Sequence, residues 1–226
     1  MNNEPKGLRR NRNFVWHSLA GIIIGLVLLL EVWHSNETVK QMAAPATNFF
    51  STKLTIRIQP FADMPTRQAE NVYQQIKKVY SGTVLLPPIQ LPRQAYYPQR
   101  NRYRADSIID WLSRSTPDGY VTLGLTTKDV SATKGRVADW GVMGLGFQPG
   151  NACVVSTFRL SKSNLADQLF KVSIHELGHT QGLPHCPDKT CYMQDAEGGN
   201  PTDQETGFCA KCRKVLESKG WAFDGK

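Results

Sequence analysis

The chain has 226 residues, 40% hydrophobic and 20% charged, with a formal net charge of +8. That is enough apolar material for one ordinary domain with extensions, and it excludes a wholly disordered or fibrous polypeptide. The first 34 residues, with Lys6, Arg9, Arg10 and Arg12 against Glu4 and Glu31, hold +2 of the charge, so the rest holds +6, which suits acidic surfaces without demanding lipid or nucleic acid.

In chain order, residues 1–13 form a basic tail and residues 14–34 a transmembrane or signal-anchor helix. Residues 19–30 are twelve unbroken apolar or glycine residues, and Phe14, Val15, Trp16, Val32 and Trp33 extend them to the roughly 20 that cross a bilayer. The small residues Ala43, Ala44 and Ala46 lie too far downstream for an ordinary cleavage site, so an uncleaved anchor is expected rather than a removed signal peptide and secretion. Its basic side would stay cytoplasmic and the main domain would face the extracytoplasmic side.

Residues 35–50 form a linker, and the domain occupies 51–226. "KLTIRIQP" alternates as a strand that stops at Pro60, and "MPTRQAENVYQQIKKVY" spaces Val72, Ile76 and Val79 as a helix begun by Pro65. "GTVLLPPIQLP" is a strand broken by prolines, and "YRADSIIDWLSRS" a helix with Ile108, Ile109 and Leu112 in one stripe. "YVTLGLTT" is a buried strand, and "WGVMGLGF" and "ACVVSTFRL" flank the turn "QPGN" as two more. "NLADQLFKVSIHELGHTQG" is a long helix, with Asn164 as N-cap and Gly182 as stop. Alternating strands and helices followed by a long helix predict a three-layer α/β domain with a mixed sheet.

Residues 175–193 read HELGHTQGLPHCPDKTCYM and contain every histidine outside the N-terminal apolar region. His175 and His179 are one helical turn apart and can grip one metal ion. Gly182 allows the left-handed conformation that ends the helix, after which the returning chain presents His185. Three neutral imidazoles leave one position open, the arrangement of a catalytic zinc site, and Glu176 stands where it can take a proton from water as general base. Cys186, Cys191, Cys209 and Cys212 add a CxxxxC and a CxxC pair seventeen residues apart, the spacing of a second, structural zinc site. Two disulfides are the alternative in an oxidising compartment. Cys153 sits in a buried strand as a core residue.

The run HELGHTQGLPHC, then CYM, then CAKC resembles archaemetzincin, a metzincin-clan metallopeptidase family whose signature is HExxHxxGxxHC, CxM and a later CxxC. The segments "GLTTKDV" and "GLGFQPGNACVVSTFRL" are also similar to that family, and the likeness spans residues 51–220. It implies a catalytic zinc on His175, His179 and His185, Glu176 as base, Met193 as the Met-turn residue beneath the metal, and a structural zinc on the four cysteines. It further implies that an edge strand within "WGVMGLGFQPGNACVVST" pairs with an extended peptide substrate. The N-terminal anchor departs from many relatives, which look soluble.

Tyr192 beside the Met-turn reads as a packing residue rather than an electrophile. "RQAYYPQRNRYR" at 93–104 interleaves arginine and tyrosine and reads as a solvated loop with its tyrosines at the core edge, leaving nucleic acid outside the expected partners. Three functions remain: a membrane-anchored zinc peptidase or aminopeptidase, a zinc-stabilised peptide-binding module without turnover, and a nucleic-acid binder built on the cysteine site. Glu176 favours the first, because a purely structural metal site needs no base beside a ligand.

Overall fold

Ile56 and Ile58, two apart on the first strand, are both fully buried, while the alternate residues Thr55 and Arg57 are not, so the alternation seen in the sequence becomes a sheet with a core face. The computed structural model describes residues 54–196, 198–221 and 223. Chain order is β1 (Thr55–Pro60), α1 (Thr66–Val79), β2 (Thr83–Leu85), β3 (Tyr96–Tyr97), β4 (Arg102–Arg104), α2 (Ala105–Arg114), β5 (Tyr120–Thr126), β6 (Val130–Lys134), β7 (Val137–Val142), β8 (Gly144–Gly146), β9 (Ala152–Ser156), α3 (Leu165–Thr180) and α4 (Ala210–Ser218).

The main sheet has the order β2-β1-β5-β9-β8, parallel except for β8, which runs antiparallel to β9 at the edge. Helices cover both faces. Cys153 and Val155 of β9 join the core made with α1 and α3, whereas Ala152 and Val154 join the core made with α2. Gly124 of β5 lets α2 pack closely: a Cβ there would meet Leu112 Cδ1 at 2.8 Å. The architecture is therefore a mixed α/β fold with helix layers on either side of a mixed sheet, and the cysteine-bearing C-terminal part follows α3.

Several elements differ from their sequence expectation. "WGVMGLGF" is not one strand: it bends at Met143, so that β7 belongs to a second sheet of order β3-β4-β6-β7 and β8 to the first. The small residues Ser131, Ala132 and Thr133 hide the strand period of β6, which turns back into β7 through Gly135 at φ +58°. Residues 93–104 are not a solvated loop. They contribute β3 and β4, and Arg102, its side chain only 11% exposed, pairs with Asp129 at 3.0 Å and Asp139 at 3.4 Å. Asn164 occupies the N-cap position without capping, because its side-chain amide donates to Asp203 at 2.9 Å. The strand expected over "GTVLLPPIQLP" is confined to β2 by Pro87 and Pro88. The proposed anchor helix lies outside the described residues; among the described residues no helix is long and apolar enough to cross a membrane.

Candidate metal centre

α3 is buried along much of its length, and its last two turns present His175 and His179 on one face. The helix then stops sharply. Gly182, at φ +87°, donates its N–H to His179 O, and Leu183 donates to Gly178 O, the paired bonds of a Schellman end. The chain reverses and brings His185 back to the helix. Ring centroids of the three histidines lie 4.6, 4.9 and 5.4 Å apart. Three imidazoles bound to one zinc at about 2.0–2.1 Å with tetrahedral angles would have centroids about 5 Å apart, so the rings fit one ion.

The far side of each ring is held. His175 Nδ1 donates to the carbonyl of Tyr192 at 2.7 Å, and His179 Nδ1 to that of Leu183 at 2.8 Å. A carbonyl only accepts, so Nδ1 carries the hydrogen and Nε2 keeps its lone pair for a metal. His185 Nδ1 lies 3.0 Å from Asp195 Oδ2. Burial, reinforced by His179, pushes His175 down to about 3, and burial also lowers His179, so both rings stay neutral near pH 7 as ligands require.

Glu176 is 7% exposed and lines the same cleft, which measures about 630 Å³. Burial pushes its carboxyl up to about 8 against an opposing hydrogen bond from the Gly146 backbone. Strand β8 lies directly on it: a Cβ at Gly144 would meet Glu176 Oε1 at 2.7 Å. Met193 is fully buried beneath the helix, and a Cβ at Gly178 would meet its sulfur at 2.3 Å. Only glycine inside the HELGH turn leaves room for that sulfur. Tyr192 packs edge-on against Phe170 and Phe208, as a packing residue does.

The four cysteines also converge, with ligand atoms within 4.8 Å of one another. Cys186 and Cys209 Sγ are 3.7 Å apart, far beyond the 2.05 Å of a disulfide and close to the roughly 3.8 Å expected between tetrahedral zinc thiolates. All four are free thiols, so the disulfide alternative finds no support. Burial raises the Cys191 and Cys212 thiols, and thiolates at those positions need a cation beside them. Backbone N–H groups of Met193 and Cys209 point at Cys191 Sγ at 3.5 and 3.4 Å. Cys153 is fully buried in β9, in the core where the sequence puts it. Sequence reasoning did not find Asp195, Gly178 or the two carbonyls. The glycine inside a helix was a readable signal, whereas the partners of the rings depend on a loop path with no periodicity.

Comparison with known proteins agrees with this geometry. The sequence model for "Peptidase family M54" matches residues 52–218. The chain is similar to the archaemetzincin of Halobacterium salinarum, 30% identical over 177 residues, which cover 72% of this chain and 99% of the relative. The archaemetzincin of Methanopyrus kandleri is 31% identical over 165 residues, covering 71% and 90%. Among solved structures, the archaemetzincin of Archaeoglobus fulgidus in complex with malonate superposes with a TM-score of 0.61 at 28% identity, covering 72% of this chain and 99% of that one. The Methanopyrus kandleri structure gives 0.62 at 27%, covering 74% and 96%. Motif, fold and relatives coincide over one stretch of the sequence: the chain belongs to peptidase family M54, the archaemetzincins, and is a zinc metallopeptidase.

Proposed function

We propose that His175, His179 and His185 hold the catalytic zinc, that Glu176 is the general base, and that Cys186, Cys191, Cys209 and Cys212 hold a second, structural zinc. The observation that carries this reading is the convergence of three imidazoles, each bound by a polar partner at Nδ1. When bound, the ion supplies Lewis acidity, polarising the scissile carbonyl and making water more acidic. Glu176 does the proton work. Its burial between α3 and β8 raises its basicity, the Gly146 N–H fixes its direction, and a cation nearby favours its charged form. It takes the proton of the attacking water and delivers it to the departing amine.

The substrate is a peptide laid along β8. That strand is the edge of the main sheet, and Gly144, Leu145 and Gly146 line the cleft beside the histidines. Its outer backbone groups offer antiparallel pairing to an extended chain, and the glycines allow close approach. The reading as a binding module without turnover leaves Glu176 without a purpose, and of the arginines that favoured nucleic acid Arg102 is engaged with Asp129 and Asp139 and Arg104 with Asp106.

The test is Glu176→Ala in the zinc-loaded protein. Zinc content should stay at the wild-type value while peptide cleavage falls by at least about 10²-fold; survival of activity would remove Glu176 from its role. A mixed peptide library reads the mode, since single-residue trimming from the amino end marks an aminopeptidase and internal cuts an endopeptidase. From the sequence alone, residues 14–34 are proposed as a membrane anchor with residues 1–13 on the cytoplasmic side. Sedimentation of the full chain with membranes, against release of a chain lacking residues 1–34, tests that.

A further inference from the structure

α3 sends a second set of side chains into the cleft, one turn before the histidines. Lys171, Val172, Asn200, Pro201, Thr202 and Glu205 line that end. Lys171 and His175 are four apart on one helix face, about 6 Å along its axis, so these residues lie about one side chain away from the metal centre.

Glu205 is 4% exposed, and its Oε2 is buried with no hydrogen-bond partner among the described residues. The local donors are spoken for. The Lys171 ammonium sits 2.9 Å from Asp167 and donates to the Thr202 carbonyl at 2.7 Å. The Asn200 amide donates to Gln168 at 2.9 Å, and the Thr202 hydroxyl to Asn200 at 2.8 Å. Burial pushes the Glu205 carboxyl up to about 7; Lys171 opposes that shift and Asp167 adds to it. A carboxylate this buried is costly unless a charged donor completes it. The mechanism above gives Glu205 no task, and the cleft wall is where an outside donor can arrive. Val172 supplies an apolar surface for the stem of a long cationic side chain.

We propose that Glu205 is a specificity determinant that receives a cationic group of the substrate, an ammonium or guanidinium, at a subsite next to the scissile bond. The proposal rests on the peptidase reading of the same cleft. The cation comes either from a lysine or arginine side chain or from the amino terminus of the peptide.

The experiment uses zinc-loaded full chain and peptides that differ only in lysine, norleucine or glutamate at the positions flanking the cut bond, each made with a free and an acetylated amino end. Cleavage is read as kcat/KM, and binding is read by calorimetry on the zinc-loaded Glu176→Ala protein, where peptides stay intact. The cation should raise both readouts about tenfold, as lysine over norleucine for a side chain or as a free over an acetylated amino end for the terminus, and Glu205→Gln should bring that ratio to about one. Lys171→Met removes the competing cation and should raise the ratio, a second arm if Glu205→Gln fails to fold. A lysine-over-norleucine preference that survives acetylation assigns the site to a side chain; a loss on acetylation that is the same for lysine and norleucine peptides assigns it to the terminus. Equal handling by the wild type both of lysine and norleucine and of free and acetylated amino ends, or a preference that Glu205→Gln leaves intact, overturns the proposal. Lysine-selective binding without cleavage of any peptide would instead sink the peptidase reading and keep the subsite.

Discussion

Asp195 shows how much of the site is decided by single residues outside the histidine motif. It lies two positions after Met193, and its carboxylate orients His185, the one proposed ligand not carried by α3. Asp195→Ala should weaken zinc binding by about 10–100-fold with little change in folding, measured by competition against a chelator of known affinity. The histidines, Glu176 and the cysteines were legible from spacing, because coordination demands particular atoms at particular intervals. Glu205 and Lys171 were not, since an isolated glutamate and a helix lysine look like ordinary surface residues until burial is known. The cost of burying a carboxylate becomes information only once the fold exists.

At the scale of elements, the end of α3 is where sequence and site geometry meet. Gly182 was readable as a stop, and the structure explains why glycine stands there. A Cβ would have space, its nearest contact being Pro149 Cβ at 3.9 Å, but φ +87° penalises any L side chain. Gly182→Ala should cost about 1–2 kcal/mol, measured by denaturant unfolding, and should lower zinc affinity because His185 leaves from that turn. Gly182→Asn should cost less. Long elements with clear periods, α1, α2, α3, β1 and β5, were recoverable from pattern. The second sheet was not: β3 has two residues, β4 three, and β6 follows Val130 with the small residues Ser131, Ala132 and Thr133, too few apolar positions to display a period. Yet that sheet supplies Trp140, Gly141 and Val142 to the lining of the cleft that holds the histidines.

Over the whole molecule, the two side-chain clusters proposed to bind zinc belong to one stretch of chain, residues 175–212. His185 and Cys186 are neighbours, the Cys186 backbone N–H donates to Met193 O at 2.7 Å, and Cys191 stands two residues before the same methionine. Removal of both ions with a strong chelator should therefore lower the melting temperature in one cooperative step, with two zinc ions per chain regained on reconstitution and measured by elemental analysis. The peptide link between residues 185 and 186 gives that assembly a direction. Asp195 sets the direction of the third imidazole while the Cys186 backbone sets its place, so if the thiols hold an ion of their own, refolding in limiting zinc should fill the sulfur site first and yield protein that is folded but idle. Only the second equivalent should bring turnover, and a titration in which activity rises with the first would mean that the two sites load independently.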